Sequence, residues 1–563
     1  MSSKRADTHD RRSEGLAFSS VLFGDHRLKG REIYAILQFP ASMAEISKTS
    51  QSRFRGPLMW LFVATILMGY LYFFGLGLPL VGPDEPRYSQ VAREMFERGD
   101  WVTTTLGGFN WFEKPALLYW LQISAYNIFG VSEFSARIGS ALFGLGTVFC
   151  LFFIGLKESV GFEARSGRTP FAFWMLAIPA TCLGLIAFSR GASFDIIVTF
   201  PLTASLTFFY LWYLEAERSG KTSTRYLFLA GFYFFAGVAT LAKGLIGIVF
   251  PAATVSFFYI LKWQLPRKDL LISIAWGPVL GLLAASSWYL PMYLRHGWEF
   301  IDQFFVQHHF QRYTSNKYRH PQPFWFFWLI FPLMTIPWIP FFLVSVWKEG
   351  KRIGIDLYSR FSGRSKSEAP SDLVFFAFAW MLVPLVFFSF SGSKLPGYVL
   401  PSLPPAAILT AIFVNKFAAV SKARDMISKS FAIGMFTVCI IILALIAPSF
   451  FYADSAKGLI EAAEKKGARN LKVAAFKATN HGLEFYAAGR LIREPEGTQR
   501  VHRSPSEIVD LASTQPTGSV LVVRLNWEKW KEDQLPGFDS ESLAVFGEWE
   551  IVVVRPSERK LKE

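Results

Sequence analysis

Cysteine is nearly absent from this chain: Cys150, Cys182 and Cys439 are the only three in 563 residues. Each lies inside an apolar run, which excludes a disulfide framework, a CxxC metal site and a redox pair. Charge is also sparse, at 18% of residues, whereas 52% are hydrophobic, 17% are aromatic and the mean hydropathy is +0.30. Soluble globular domains carry more charge, and apolar runs of about 18–25 residues recur here, so the chain reads as a polytopic membrane protein. These runs are continuous rather than alternating. That excludes a β-barrel and leaves helices to span the bilayer, because backbone groups in lipid must be bonded within their own segment.

About eleven spans are expected, at 58–79, 135–157, 170–189, 194–214, 226–242, 244–262, 270–291, 323–347, 372–390, 396–417 and 430–451. With a cytoplasmic N-terminus, the inner connections collect Arg165, Arg168, Arg218, Lys221, Arg225, Lys262, Arg267, Lys268 and the basic runs at 348–366 and 422–429. This positive-inside pattern accounts for much of the +15 net charge as topology and attraction to anionic membrane lipids, with no nucleic-acid partner. Residues 1–56 lack a long apolar h-region and read as a cytoplasmic, partly disordered leader; Met43 begins a more usual run-in and is an alternative start. Residues 57–452 form the membrane domain, where Gly277 and Gly281 have small-xxx-small spacing for close helix packing. From 453 to 563 the composition changes. LKVAAF, SVLVVRL and EWEIVVVR read as strands, GLIEAAEKKG and SPSEIVDLAS as amphipathic helices, giving a small α/β domain on the outer side. His481, Glu484 and Tyr486 are its polar cluster and read as a solvated face.

The same topology gathers the unusual polar segments on one face. PDEPRY places Asp84 and Glu85 between prolines, which is expected to keep them out of a regular helix and present them at a turn. Arg87 can pair with either acid or grip a phosphate. In WFEKP, Glu113 and Lys114 are adjacent in sequence, so each is expected to find its partner elsewhere. Asp195 in SRGASFD, Lys243 in TLAKGL and Lys394 in GSKLPGYVLP sit at span ends, where an ionisable group by default marks a site. In QHHFQRYTSNKYRHPQPFWFF, His308 and His309 are neighbours and form no two-histidine metal face alone; with Glu113 and Asp195, one of them offers a mixed carboxylate/imidazole set suited to zinc or manganese. Arg312 belongs to a basic run suited to an anionic ligand.

The ordered set DEPRY, WFEKP, SRGASFD, TLAKGL, HHFQRY with HPQPFWFF, and SGSKLPGYVLP resembles the bacterial lipid A aminoarabinose transferase family, within the dolichyl-phosphate-mannose protein mannosyltransferase-like superfamily. The resemblance runs from about Pro57 to Pro405. It implies an all-α GT-C glycosyltransferase fold with about 11 to 13 transmembrane helices, set in the bacterial inner membrane with the active site and C-terminal domain facing the periplasm. By motif it makes Asp84, Lys114 and Lys243 catalytic, and Glu113, Asp195 and His309 similar to a divalent-metal site. Arg312 and Tyr398 become substrate-binding, and Glu85, Arg87 and Lys394 are assigned to substrate binding with them from their place on the same face. Trp111 stands where the family commonly has a tyrosine.

The implied reaction moves a sugar, with 4-amino-4-deoxy-L-arabinose leading, from a polyprenyl phosphate to lipid A or a related envelope glycolipid. Positive groups suit the departing phosphate, and Asp84 acts as general base only if the acceptor is a hydroxyl. Two alternatives stand beside it. One is a mannosyltransferase acting on exported protein; the other is an anionic-lipid transporter or flippase, disfavoured by the absence of an evident repeat and by ionisable groups gathered at one face.

Overall fold

The computed structural model of the protein describes residues 48–159, 169–218, 221–311, 321–362, 369–453 and 455–557. Among them, six helices are continuous, long and apolar enough to cross a membrane: Glu133–Ser159, Phe194–Glu217, Thr222–Lys243, Asp372–Ser389, Pro396–Ala418 and Lys422–Ala453. Two bent pairs raise the number to eight, and Met59–Phe73 and Ile246–Lys262 are shorter apolar helices. Each of the eleven apolar runs expected from hydropathy carries helix, and two of them are bent pairs rather than single helices. Hydropathy detects an apolar run without detecting the break inside it.

The breaks have local causes. Phe171–Thr181 and Leu183–Ser189 meet at 61°, with Pro179 inside the first helix and Cys182 extended between them. Phe326–Met334 and Ile339–Phe361 meet at 119°. Backbone freed at a break in an apolar environment needs a partner, and here each break serves the other. The Leu183 N–H donates to the Ile336 carbonyl at 2.8 Å, and the Trp338 indole N–H donates to Thr181 Oγ1 at 2.9 Å.

Close packing follows from small residues, as the glycine spacing predicts. A Cβ on Gly237 would overlap the Gly281 carbonyl, and one on Gly277 would overlap the Tyr233 ring, so Thr222–Lys243 and Gly277–Ile301 approach to backbone contact. The three cysteines are free, in accord with their scattered apolar positions.

The C-terminal domain is a five-stranded mixed sheet in the order β4-β3-β5-β7-β6, with β3 (Val473–Phe476), β4 (Val501–His502), β5 (Val520–Leu525), β6 (Phe538–Phe546) and β7 (Trp549–Pro556). Strands β4, β3 and β5 run parallel, and β7 and β6 join antiparallel. Alternation sorts β5 and β7 onto two cores. Leu521, Val523, Ile551 and Val553 meet the Lys457–Lys465 helix, and Val520, Val522, Val552 and Val554 meet Pro505–Thr514. The three strands and two helices read from sequence are present. The β4 and β6 strands escaped because one is two residues long and the other carries the polar run Asp539–Ser542.

This domain docks on the membrane part through Tyr486 of the cluster read from sequence as solvated, whereas His481 of that cluster is exposed, as expected. Glu484 is buried against Arg493, and the Tyr486 hydroxyl accepts from the Leu80 N–H at 2.7 Å while donating to Glu133 at 3.1 Å. Lys457 reaches the same Glu133 carboxylate at 2.7 Å. An amphipathic turn looks solvated in sequence whether its polar face meets water or another domain. The helix contact yields a direct test: Gly237→Val should destabilise the detergent-solubilised protein by about 1–3 kcal/mol through overpacking. Gly434→Val, with nothing within 4 Å of its Cβ, should leave the melting temperature unchanged.

Candidate active site

The two acids of PDEPRY are not at a turn. They open the Asp84–Arg98 helix, with Pro86 in its first turn. Proline is tolerated there because N–H groups of the first turn have no intrahelical acceptor, and the two carboxylates suit the positive end of the helix. The side chains then diverge. Asp84 pairs with Arg87 and is 49% exposed. Glu85 is taken up by the framework: Arg137 donates to it at 2.9 and 2.6 Å, and the Ala192 and Val81 N–H groups at 2.7 and 3.1 Å. Arg137, 1% exposed, also donates to the Leu76 and Pro79 carbonyls at 3.0 and 2.9 Å. Glu85 therefore shapes the loop and is absent from the cavity described below. Sequence reading passed over Arg137 because it is buried within a span and belongs to no outer motif.

Arg87 settles between aromatic rings, 5.6 Å from the Trp111 centroid and 5.7 Å from that of Tyr88. Burial alone would lower its pKa, but Glu113, Tyr88 and Asp84 around it more than offset this and push it up. Trp111 thus has a cationic partner in place of the family's tyrosine hydroxyl. Glu113 and Lys114 also depart from expectation. The chain turns between Trp111 and Pro115, and Lys114 Nζ lies 2.6 Å from Glu113 Oε1, with both side chains largely buried.

A second acid–base pair comes from two helix ends. Ser193 caps Phe194–Glu217 by accepting from the Asp195 N–H at 3.2 Å, so Asp195 sits in the first turn. Lys243 is the last residue of Thr222–Lys243, where Gly244 at φ 71° releases the chain. A carboxylate at a helix N-terminus and an ammonium at a C-terminus are each favoured by the peptide dipoles, and they form a salt bridge. Lys243 Nζ also lies 4.7 Å from the centre of the Tyr398 ring. The Pro396–Ser402 turn presses against this pair so closely that a Cβ on Gly397 would overlap the Asp195 carboxylate.

These groups surround one cavity of about 370 Å³. Asp84, Glu113, Lys114, Asp195, Lys243 and Tyr398 line it, together with His308, Tyr88 and Ser193 and an apolar wall that includes Leu245, Ile246, Phe387 and Phe388. Tyr88 was missed as a site residue although it closes the PDEPRY motif. Burial first, then Asp84 and Glu113, raise its pKa well above 10, so it remains a neutral hydrogen-bond donor. The phenylalanines carried no polar signal in sequence.

Four further expectations differ or fall outside the described structure. Lys394 does not line the cavity; it is buried, donates to the Ser391 carbonyl at 2.6 Å, and burial pushes its pKa down. His308, not the preferred His309, is the histidine lining the cavity among the described side chains. Arg312 and the side chain of His309 lie outside the described residues. Among the described residues no group of three His, Cys, Asp or Glu side chains is placed to hold a metal, and Glu113 and Asp195 each face a lysine. The zinc or manganese set of Glu113, Asp195 and His309 includes a side chain that lies outside the described residues.

Two tests follow from this geometry. Arg137→Ala leaves Glu85 without its buried counter-charge and should cost about 3–5 kcal/mol in denaturant unfolding. Gly397→Ala should displace Asp195 and expose the Lys243 ammonium, read as faster labelling of Lys243 by an amine reagent in peptide mass spectrometry.

Comparison with known proteins places this geometry in a family. The undecaprenyl phosphate-alpha-4-amino-4-deoxy-L-arabinose arabinosyl transferase of Serratia proteamaculans is 28% identical over 400 residues, covering 69% of this chain and 65% of the relative. A protein of the same name, numbered 2, from Pseudomonas fluorescens is 30% identical over 390 residues, covering 68% and 60%. The chain thus spans less than two thirds of the length of these relatives. The crystal structure of ArnT from Cupriavidus metallidurans bound to undecaprenyl phosphate superposes with a TM-score of 0.69 at 20% identity, covering 88% of this chain and 98% of that one, so the fold is shared. A family model described as dolichyl-phosphate-mannose-protein mannosyltransferase matches residues 61–345, and the chain belongs to that family.

Proposed function

We propose that the protein is an inner-membrane glycosyltransferase that moves a sugar, 4-amino-4-deoxy-L-arabinose, from a polyprenyl phosphate to lipid A or a related envelope glycolipid at the periplasmic face. The observation that carries this reading is the cavity itself, where Lys114 and Lys243 face an apolar wall of Leu245, Ile246, Phe387 and Phe388. Two cations beside an apolar surface suit a ligand with a phosphate head and a prenyl tail. The relatives named above supply the sugar and the carrier.

In the reaction the bond from the sugar's anomeric carbon to the phosphate oxygen breaks, and its electron pair stays on the phosphate. An acceptor oxygen forms the new bond to that carbon. The departing phosphate gains charge, and Lys114 and Lys243 are positioned to stabilise it; each such cation lost typically lowers the rate about 10²–10³-fold. Both lysines are held by carboxylates, Glu113 and Asp195, which orient them at the cavity wall. Tyr88 supplies a neutral donor. Asp84 is the most exposed of the three paired cavity acids. It orients a phosphate acceptor, which needs no deprotonation, or takes the proton from a hydroxyl acceptor.

The decisive measurement is mass spectrometry of envelope lipids from cells with and without the intact gene. The expected result is a lipid A mass increment that disappears with the gene. Sugar on Ser or Thr of exported proteins would instead favour the mannosyl-transfer activity that gives the family its description. In purified protein, Lys243→Ala and Asp84→Asn should each cut transfer about 100-fold or more with unchanged melting temperature, and wild-type rates in both would overturn the site.

A further inference from the structure

A second concavity, of about 690 Å³, lies where the C-terminal domain meets the Asp84–Arg98 helix and the hairpin of β1 (Thr105–Leu106) and β2 (Phe109–Asn110). We propose that this cleft binds the phosphorylated saccharide headgroup of the acceptor. The inference rests on the glycosyl-transfer reading and adds a location for the second substrate.

The cleft is built by matched close approaches. Gly107 and Gly497, at φ 64° and 88°, have no side chain because the Arg493 guanidinium and the Phe109 ring occupy the space where one would project. Most charges around it are used internally. Glu94 accepts from the Gly107 and Gly108 N–H groups at 2.6 and 3.1 Å and from Thr105 at 2.7 Å, which fixes the hairpin. Arg493 is bonded to Glu484 and to the Gly497 carbonyl.

Two arginines have capacity to spare. Arg500 is 48% exposed, lies 3.8 Å from Glu494, and makes no side-chain hydrogen bond among the described residues. Arg98 is 38% exposed; it holds the 103–105 backbone and hydroxyl on one side and stands 3.9 Å from Glu94. Guanidinium N–H groups left in this way suit a phosphate. Between the domains, the Phe109 ring is 41% exposed and offers a flat apolar face to the C–H side of a sugar. Anionic, ring-shaped and polar at its edges, a phosphorylated saccharide matches these features together.

Position relates the cleft to the chemistry. Its helix wall is the helix that carries Asp84 and Tyr88 into the reaction cavity, and its hairpin runs within four residues into Lys114. Tyr88 and Glu94 are six residues apart on that helix, about 9 Å along its axis. A headgroup of two sugars with its phosphates is of that scale.

The test uses the full chain in lipid nanodiscs, with a polyprenyl-phosphate sugar as donor and a diphosphorylated disaccharide glycolipid as acceptor. Arg98→Ala, Arg500→Ala and the double variant should fold normally and raise the acceptor KM about tenfold or more, with donor KM within about twofold of wild type. A rise in donor KM instead, or no change in either, overturns the proposal. A second arm titrates the protein with the delipidated, phosphorylated disaccharide by calorimetry. Binding should be lost in the double variant and absent for the dephosphorylated sugar; equal binding of the two sugars overturns the anionic-headgroup assignment. Headgroup binding without any transfer by wild type would retire the glycosyltransferase reading while the cleft stands, and transfer with an unchanged acceptor KM in the double variant would do the reverse.

Discussion

The surroundings of the cavity are organised around the buried contact between Arg137 and Glu85. One guanidinium, 1% exposed, meets a carboxylate at the start of a loop helix and three carbonyls, of Leu76, Leu78 and Pro79, in the chain that leads into it. The same carboxylate accepts the Ala192 N–H from the SRGASFD segment. A charge taken out of water is costly unless fully paired and hydrogen-bonded, so the geometry around Arg137 is strongly specified. Once it is set, Asp84 is directed toward the cavity and Ser193 and Asp195 are held within reach of it.

Around that junction the cavity repeats one device. Glu113 faces Lys114, Asp195 faces Lys243, and Asp84 faces Arg87. Each cation that a phosphate ligand would need has a carboxylate to hold it in the ligand's absence. Pairing offsets the cost of holding charges in a largely buried site and fixes the direction of each cation. Helix ends do part of this without side-chain cost, since Asp195 and Lys243 stand at the termini whose dipoles favour them.

Sequence made the class of the molecule legible for a plain reason. Solvation by lipid forces long apolar runs, and a sheet covered by helices on both faces forces short ones, so both survive reading in one dimension. The ordered polar motifs were also legible, because an ionisable residue beside an apolar run stands out wherever it folds. Pairing was not. The prolines of PDEPRY suggested a turn until the first turn of a helix proved able to hold Pro86. Glu113 and Lys114 looked divergent until the chain turned sharply between Trp111 and Pro115. Lys394 shared its motif with Tyr398, yet it bonds to its own loop.

What the sequence alone determined is therefore the membrane class, the C-terminal domain and the identity of six of the groups around the cavity, since composition and motif order carry that information locally. Tertiary structure alone decided which acid meets which base, that Glu85 serves the framework and Asp84 the cavity, and that phenylalanines from a distant span form the apolar wall. It also turned the Glu484–Tyr486 segment from a solvated face into a domain contact. The Asp195–Lys243 and Glu85–Arg137 pairs and the apolar wall depend on contacts between residues tens to hundreds of positions apart, and even the neighbouring Glu113 and Lys114 meet only because the chain turns there.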